Sequence, residues 1–505
     1  MKKWRMVLVN IGRPTVDFPF TSPPMGIMYL AAYLRTRFPL EIKLIPQRVG
    51  DLTEDDVVRQ VVEFEPDVVG FGSLTVWAYV LQELTRRVRQ ALPGAFIVIG
   101  GPHVSAVGEQ ALRENDADAA VVGEGERSFE ALLQARFEGR DFADIPGLIW
   151  RTRDGQVVSN PGHMPPIEDL DSLPFPAYDL IDLSKYWKTK AIDPLLRPRY
   201  VSLVSSRGCP YQCIWCHNIF GKNFRAHSPG RVVDEIEHLT RKHGIKDVEF
   251  LDDVFNLDRT RVVDICQEVR RRDLKIGFAL PNGVRGDLLT QEVVDAMVDA
   301  GMYYCGFALE TGSPRLQELT GKRLNIPRFL EALRMVAQRR VFVYAWAMLG
   351  HPTETEPELR QTIDALAHSR AHVASFFRVT PFPGTPLYKL VLERYPERLK
   401  GVEYRATTYA NTHVNLSDVP DEVLFEYHRK AYRTFYLNPR RMVRLLWNCP
   451  RPLELAFYLP IFLMRVTKDL LTRRGRARKE PGGINPAPGP TQGEATPTAM
   501  GKPSA

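Results

Sequence analysis

Cysteine is scarce: there are six in 505 residues, and three of them crowd between positions 209 and 216. So few thiols exclude a disulfide framework and fit a reducing, cytoplasmic setting. Cys266, Cys305 and Cys449 stand singly in apolar stretches and read as small core residues. Long apolar runs are also missing. The strongest, residues 453–466, is broken by Pro460 and falls short of the roughly twenty residues needed to span a bilayer. The opening Met1-Lys2-Lys3-Trp4-Arg5 leads into one short apolar run with no small-residue cleavage site, so no export signal is expected. Net charge is small over the body of the chain. The net +7 is concentrated in Arg465, Lys468, Arg473, Arg474, Arg476, Arg478 and Lys479, against Asp469. The remainder is nearly neutral, which argues against a nucleic-acid partner.

What the chain does have is regular alternation. Apolar runs at 6–11, 41–46, 67–73, 95–100 and 119–122 are separated by stretches with helical spacing, the second helix opening at Thr53-Glu54-Asp55-Asp56. Five strand–helix units predict a doubly wound, Rossmann-like parallel sheet over residues 1–140. From 141 to 198 the periodicity fades into a linker with a small hairpin around Asp154-Gly155 and a proline-stiffened connector at 170–176. Six further units follow over 199–400, with strands expected at 200–205, 247–251, 275–280, 304–309, 341–349 and 374–379. Six such units resemble a partial barrel, an open relative of the eight-stranded one, and chemistry in such barrels sits at the carboxyl ends of the strands. Residues 401–474 read as a helical part that caps the open barrel, and 475–505, rich in Pro, Gly, Thr and Ala, as a disordered tail.

One stretch carries chemistry: Ser205-Ser206-Arg207-Gly208-Cys209-Pro210-Tyr211-Gln212-Cys213-Ile214-Trp215-Cys216-His217. Cys209, Cys213 and Cys216 are spaced so that one loop can bring all three to an iron-sulfur cubane, leaving its fourth iron open to a small molecule. The alternatives are a zinc knot completed by His217, or C-x-x-C redox chemistry. A zinc knot would normally pair two short ligand groups, and the sequence offers no second one.

The spacing C-x-x-x-C-x-x-C, with Trp215 before the last cysteine, resembles the signature of the radical S-adenosylmethionine enzymes. The resemblance implies a 4Fe-4S cluster whose open iron is chelated by S-adenosylmethionine. An electron from a reductant such as flavodoxin or ferredoxin would then split the sulfonium into methionine and a 5′-deoxyadenosyl radical. The ends of the first five strands carry Gly72-Ser73-Leu74-Thr75, Gly100-Gly101-Pro102-His103 and Gly123-Glu124-Gly125-Glu126, and Ser22-Pro23-Pro24-Met25-Gly26 opens the first helix. Their order is similar to the cobalamin-binding domain of the cobalamin-dependent branch. It implies cofactor contacts from Ser73, Thr75, Gly100, Gly101, Gly123 and Glu124, with His103 as a pocket wall. The loop Asn10 to Val16 lacks the histidine of the familiar Asp-x-His-x-x-Gly. Cobalamin would therefore bind without a histidine ligand; the alternative is a domain that keeps only the fold.

In the barrel, the same resemblance implies S-adenosylmethionine contacts from Trp215, Asp252, Asp253, Glu310, Thr311 and Gly350. Carboxylates suit a sulfonium, an ammonium and the hydroxyls of a ribose. The Asp252-Asp253 pair replaces the usual glycine-rich form, as in the cobalamin-linked branch, and Pro381-Phe382-Pro383-Gly384-Thr385-Pro386 matches a rigid turn common there. No acid–base residue stands out; Tyr303, Tyr304 and Tyr344 read as core. The expected activity is radical methylation of an unactivated carbon in a small molecule, with a lipid or tetrapyrrole as the substrate class suggested by the apolar, basic C-terminus. That terminus also fits peripheral contact with a membrane. Other readings are a cobalamin-dependent cyclase or oxidoreductase without methyl transfer, and a non-catalytic iron-sulfur or cobalamin-binding regulatory protein.

Overall fold

Four consecutive residues, Met6 to Val9, are each at most 1% exposed, so the strand β1 (Trp4–Asn10) is covered on both faces and pairs in parallel on both sides. The computed structural model describes residues 3–15, 20–189, 191–193, 195–400, 402, 404 and 414–453. With β2 (Leu40–Pro46), β3 (Val68–Gly72), β4 (Phe96–Gly100) and β5 (Ala119–Ala120), β1 forms a five-stranded parallel sheet of order β2-β1-β3-β4-β5. The helices Met25–Arg35 and Gly125–Glu138 bury Met28, Leu34, Phe129 and Leu132 on one face. Glu54–Phe64 and Ala78–Ala91 bury Val57, Val61, Leu81 and Val88 on the other, which is the doubly wound arrangement.

The hairpin expected in the linker does more than connect. Its strands β6 (Ile149–Arg151) and β7 (Val157–Ser159) add to β5 in antiparallel fashion and extend the first sheet to seven. The turn is at Asp154-Gly155, where Gly155 takes φ +84°. The pairing was not legible because β5 is only two residues long and gives no periodicity to pair against.

The second sheet is wholly parallel: β8 (Tyr200–Leu203), then, beyond a short antiparallel clip of β9 (Ser206–Arg207) and β10 (Arg225–Ala226), β11 (Asp247–Phe250), β12 (Gly277–Val284), β13 (Met302–Glu310), β14 (Phe342–Leu349) and β15 (Val373–Arg378). The order β15-β14-β13-β12-β11-β8 leaves β8 and β15 at opposite edges, an open arc with strand-end loops on one rim. β12 runs beyond the expected 275–280. Gly283 (φ +92°) carries an irregular extension past the Trp346 ring, where a Cβ would come within 2.8 Å of it.

An open arc needs its edges dressed. At β8, the Trp187 indole donates to Tyr200 O at 2.8 Å. At β15, the helix Asp421–Tyr436 aligns His428, Tyr432 and Tyr436, one turn apart, along the strand. Tyr436 Oη accepts from Ala374 N (3.1 Å) and donates to Ala374 O (2.7 Å), Tyr432 Oη accepts from Phe376 N (3.3 Å), and His428 Nε2 lies 2.7 Å from Phe376 O. The next helix, Pro439–Asn448, sends Leu445, with Cys449 just beyond, against Tyr304 and Phe342 at the amino ends of β13 and β14. The helical part thus closes the edge and the floor of the arc, whereas a cap on the open barrel was the expectation. The difference arises because the stripe of hydroxyls follows a sheet edge that sequence periodicity does not reveal.

The floor is polar inside. Tyr303 Oη donates to Asp193 Oδ2 at 2.6 Å, and burial pushes the Asp193 carboxyl up to about 7. Burial does the same to Glu249, which accepts from Ser202 (2.6 Å) and from Ser22 (3.2 Å) of the loop after β1. Tyr344 shares a hydrogen bond with Ser375 at 2.5 Å. Residues 454–474 of the helical part and the 475–505 tail lie outside the described residues. Among the described residues, no helix is long and apolar enough to cross a membrane.

Tyr436→Phe removes the hydroxyl that satisfies both backbone groups of Ala374 at the edge. It is expected to lower stability by about 1–3 kcal/mol in denaturant unfolding. An unchanged midpoint would mean that the hydroxyl does not hold the edge.

Candidate functional site

The loop after β8 is clipped at its base by β9 and β10 and carries the three thiols. Gly208 opens it at φ +85°, and a Cβ there would lie 2.2 Å from Asn223 O, so only glycine allows the two ends of the loop to close. Inside the loop, Cys216 N donates to Cys213 O (3.1 Å), Ile214 N donates to Thr320 O (3.0 Å), and Ile214 O accepts from Leu387 N (2.8 Å). The thiols are thereby fixed by the segments that follow β13 and β15. Cys209, Cys213 and Cys216 line one cavity of about 260 Å³ at the carboxyl ends of the strands, together with Trp215, Asp253, Asn282, Glu310, Lys322 and Trp346.

The thiols electrostatically oppose one another. Burial pushes Cys209 and Cys213 up, and Cys216 is pushed up to about 12 by burial, then by Cys213, Asp253 and Cys209, although part of its surface reaches solvent. Three thiolates can coexist here only around a positive group. Among the described residues, no three His, Cys, Asp or Glu side chains converge on a point for a single metal ion. Three thiols lining one cavity are the donor set of an iron-sulfur cubane.

The other residues expected to contact S-adenosylmethionine separate into two groups. Trp215, Asp253 and Glu310 line the cavity. Glu310 is held at φ +66°, a region that non-glycine residues seldom adopt, and its carboxylate meets Lys322 Nζ at 3.2 Å. Strained backbone at a strand end beside a cleft is the pattern of a ligand-facing residue. Asp252, by contrast, is fully engaged beneath the loop, accepting from Ser205 N (2.7 Å), Ser205 Oγ (2.6 Å) and Ser206 Oγ (2.6 Å). Thr311 turns to Thr362 (3.2 Å) and is buried away from the cavity. Gly350, at φ +90°, shapes a turn in which Glu354 Oε2 accepts from Gly350 N (2.6 Å) and His351 N (3.0 Å). That turn touches the cavity indirectly, through His351 against Trp215 with ring centroids 5.6 Å apart. None of these three lines the cavity.

At the first sheet, the strand-end residues knit β3, β4 and β5 together. Ser73 N donates to Gly100 O (3.3 Å), His103 N to Ser73 O (3.0 Å) and Gly123 N to Ser105 Oγ (2.9 Å). Gly101 takes φ +88°, and a Cβ there would lie 3.1 Å from Ser73 N. Thr75 and His103 line a second cavity, about 710 Å³, closed on its far side by Gly384, Tyr388, Lys389 and Tyr404. His103 is 5% exposed, neither ring nitrogen has a partner, and burial lowers its pKa. An unpartnered imidazole beside so large a space fits a wall facing a bound molecule. The turn after β15 presses on this region, since a Cβ on Gly384 would lie 2.7 Å from Ala106 Cα.

Glu124 is not aimed at a ligand. Its carboxylate accepts from Arg207 Nη1 (2.7 Å) and from both terminal nitrogens of Arg225, while Glu126 accepts from Arg207 Nη2 (2.6 Å). All four side chains are at most 10% exposed. Arg207 immediately precedes Gly208 and the first thiol, so this network ties the first sheet to the cysteine loop. Sequence reasoning missed Arg207, Arg225, Lys322 and Trp346. Arg207 stood inside the cysteine stretch, but its partner lies 83 positions away and leaves no local signal.

Comparison with known proteins accords with this geometry. Residues 15–133 match the B12 binding domain and residues 203–366 the Radical SAM superfamily. An uncharacterized methyltransferase of Pyrococcus horikoshii is 31% identical over 427 residues, covering 84% of this chain and 90% of that protein. The anaerobic magnesium-protoporphyrin IX monomethyl ester cyclase of Rubrivivax gelatinosus is 25% identical, covering 82% of this chain and 74% of its own. Among solved structures, the cobalamin-dependent S-adenosylmethionine radical enzyme OxsB, with aqua-cobalamin and S-adenosylmethionine bound, superposes with a TM-score of 0.70. It is 17% identical and covers 94% of this chain and 76% of that one.

Arg207→Met would leave Glu126 buried without a cationic partner. The expected loss is about 3–5 kcal/mol in denaturant unfolding, with the double change Arg207→Met, Glu126→Gln recovering part of it. A single variant as stable as the parent would show that the network does not hold the two sheets together.

Proposed function

The chain belongs to the cobalamin-dependent branch of the radical S-adenosylmethionine enzymes, and we propose that it methylates an unactivated carbon of a small molecule. The observation that carries this reading is the meeting of two strand-end rims across the Glu124–Arg207 network, one bearing three thiols on a single cavity and the other bearing the His103 cavity. When bound, a 4Fe-4S cluster supplies the electron that splits S-adenosylmethionine, and cobalamin supplies a transferable methyl group.

The chain's own residues bind, orient and exclude. Cys209, Cys213 and Cys216 would hold the cluster. Glu310 offers carboxylate oxygens to ribose hydroxyls, and Asp253 suits the ammonium of the methionine moiety. Asp252 fixes the loop from below through Ser205 and Ser206. Trp215 and Trp346 wall the cavity with apolar surface, which keeps water from a radical intermediate. Thr75 and His103, which line the second cavity, would face bound cobalamin, and Ser73, Gly100, Gly101 and Gly123 would shape the strand ends that hold it. The loop after β1 contains no histidine, so it would offer no imidazole to bound cobalamin.

The same reading divides the chain into a cobalamin-binding unit over 1–140, a connector over 141–198 whose hairpin completes the first sheet, the barrel over 199–400, and a helical part from 401. It places the protein in the cytoplasm, with flavodoxin or ferredoxin as electron donor and an amphiphilic substrate, a tetrapyrrole or lipid. The 25% identity to tetrapyrrole cyclases keeps oxidative ring formation as the second reading.

Anaerobically reconstituted protein with S-adenosylmethionine and a reductant should form 5′-deoxyadenosine, and a product in cell extract should gain the mass of one methylene. Cys213→Ala should lose both the cluster's visible absorption and 5′-deoxyadenosine. Cleavage without a methyl gain would favour ring formation, and absence of cleavage in the loaded parent would favour a regulatory protein.

A further inference from the structure

The helix Pro439–Asn448 is fastened to the barrel along one side only. Arg441 is fully buried and donates to Ala367 O (2.6 Å), Phe435 O (3.1 Å) and Ala371 O, and Leu445 is buried one turn further on, with Cys449 beyond it. The other side is bare. Val443 is 65% exposed, Leu446 71% and Trp447 81%, flanked by Leu437 at 72% and Leu453 at 83%. Of the eleven exposed large apolar side chains among the described residues, five fall in this one stretch. A contiguous apolar patch of this kind marks an interaction surface.

Its surroundings select the partner. From Tyr427 to Leu453 there is no Asp or Glu; Arg441 is buried and Arg451 is paired with Asp247, and the other five basic residues, Arg429, Lys430, Arg433, Arg440 and Arg444, are at least partly exposed. The sequence that follows adds the basic run from Arg465 to Lys479. Apolar anchors ringed by arginine, with an indole among them, match the boundary layer of a lipid bilayer that carries negative headgroups. A purely apolar partner would gain nothing from this charge, because desolvating arginine without an anion is costly. We propose that this face docks on an anionic bilayer surface.

The docking face lies under the floor of the barrel, where Leu445 and Cys449 meet the amino ends of β13 and β14. The thiols sit at the opposite, carboxyl ends. Bilayer contact therefore tethers the protein with its cavity turned away from the membrane, and it stands independently of the methylation reading.

The test is flotation of the full chain with phosphatidylcholine vesicles, with and without phosphatidylglycerol. Flotation is expected only with the anionic vesicles, falling as salt rises. Leu446→Glu with Trp447→Glu should weaken it about tenfold, with the circular dichroism and thermal midpoint unchanged. As a reading that does not rely on that variant's folding, the Trp447 contribution to emission, obtained by difference from Trp447→Phe, should shift to the blue when anionic vesicles are added. The proposal is overturned by absence of flotation, by equal flotation with neutral vesicles, or by full flotation of the double variant, which would assign binding to the basic run alone. It is also overturned if Trp447 emission is already blue and indifferent to vesicles, which would mean that residues 454–466 of the chain itself cover the face.

Discussion

Two carboxylates from one sheet and two guanidinium groups from the base of the cysteine loop, all nearly excluded from water, hold this protein's halves in register. Neither Glu124 nor Arg207 could be buried alone at tolerable cost, so each half completes the other. The consequence is geometric: the carboxyl rim of the first sheet is set against the loop that follows the first barrel strand. Tyr29 reinforces the joint, its ring 5.3 Å from the Arg207 guanidinium and its hydroxyl donating to Val204 O at 3.3 Å. Gly384 closes the far side by letting the turn after β15 pack directly on Ala106.

The open arc of the barrel follows a related economy. A six-stranded sheet leaves two ladders of unpaired backbone groups, and the chain satisfies them with side chains rather than more strands. Trp187 does so at β8, and His428, Tyr432 and Tyr436 at β15. Because the C-terminal helices cover the edge and the floor, the rim with the thiols stays free for a small molecule. The floor carries Tyr303, Tyr304 and Tyr344, which the sequence reads as core, and none of the three lines the thiol cavity.

Alternation of strand and helix, the five parallel strands, the six-stranded arc and the cysteine loop were all legible, since each rests on local periodicity or spacing. What was not legible depends on partners far apart in the chain. Glu124 reads as a residue at the end of a cofactor-binding strand until Arg207 and Arg225 appear, 83 and 101 positions later. Asp252 reads as a ligand contact until Ser205 and Ser206, almost fifty positions earlier, occupy its oxygens. The run of β12 past position 280 was not legible because its irregularity answers to Trp346, on another strand. Local chemistry found the thiols and Glu310, and tertiary packing decided which neighbours face the cavity and which hold it.

The facing of the two rims is the claim on which the methyl-transfer reading rests. Electron paramagnetic resonance of the protein loaded with both cob(II)alamin and a reduced cluster tests it directly. The account predicts dipolar broadening of each signal by the other, absent when either group is loaded alone. Two superposed signals, each unchanged by the presence of the other, would contradict it.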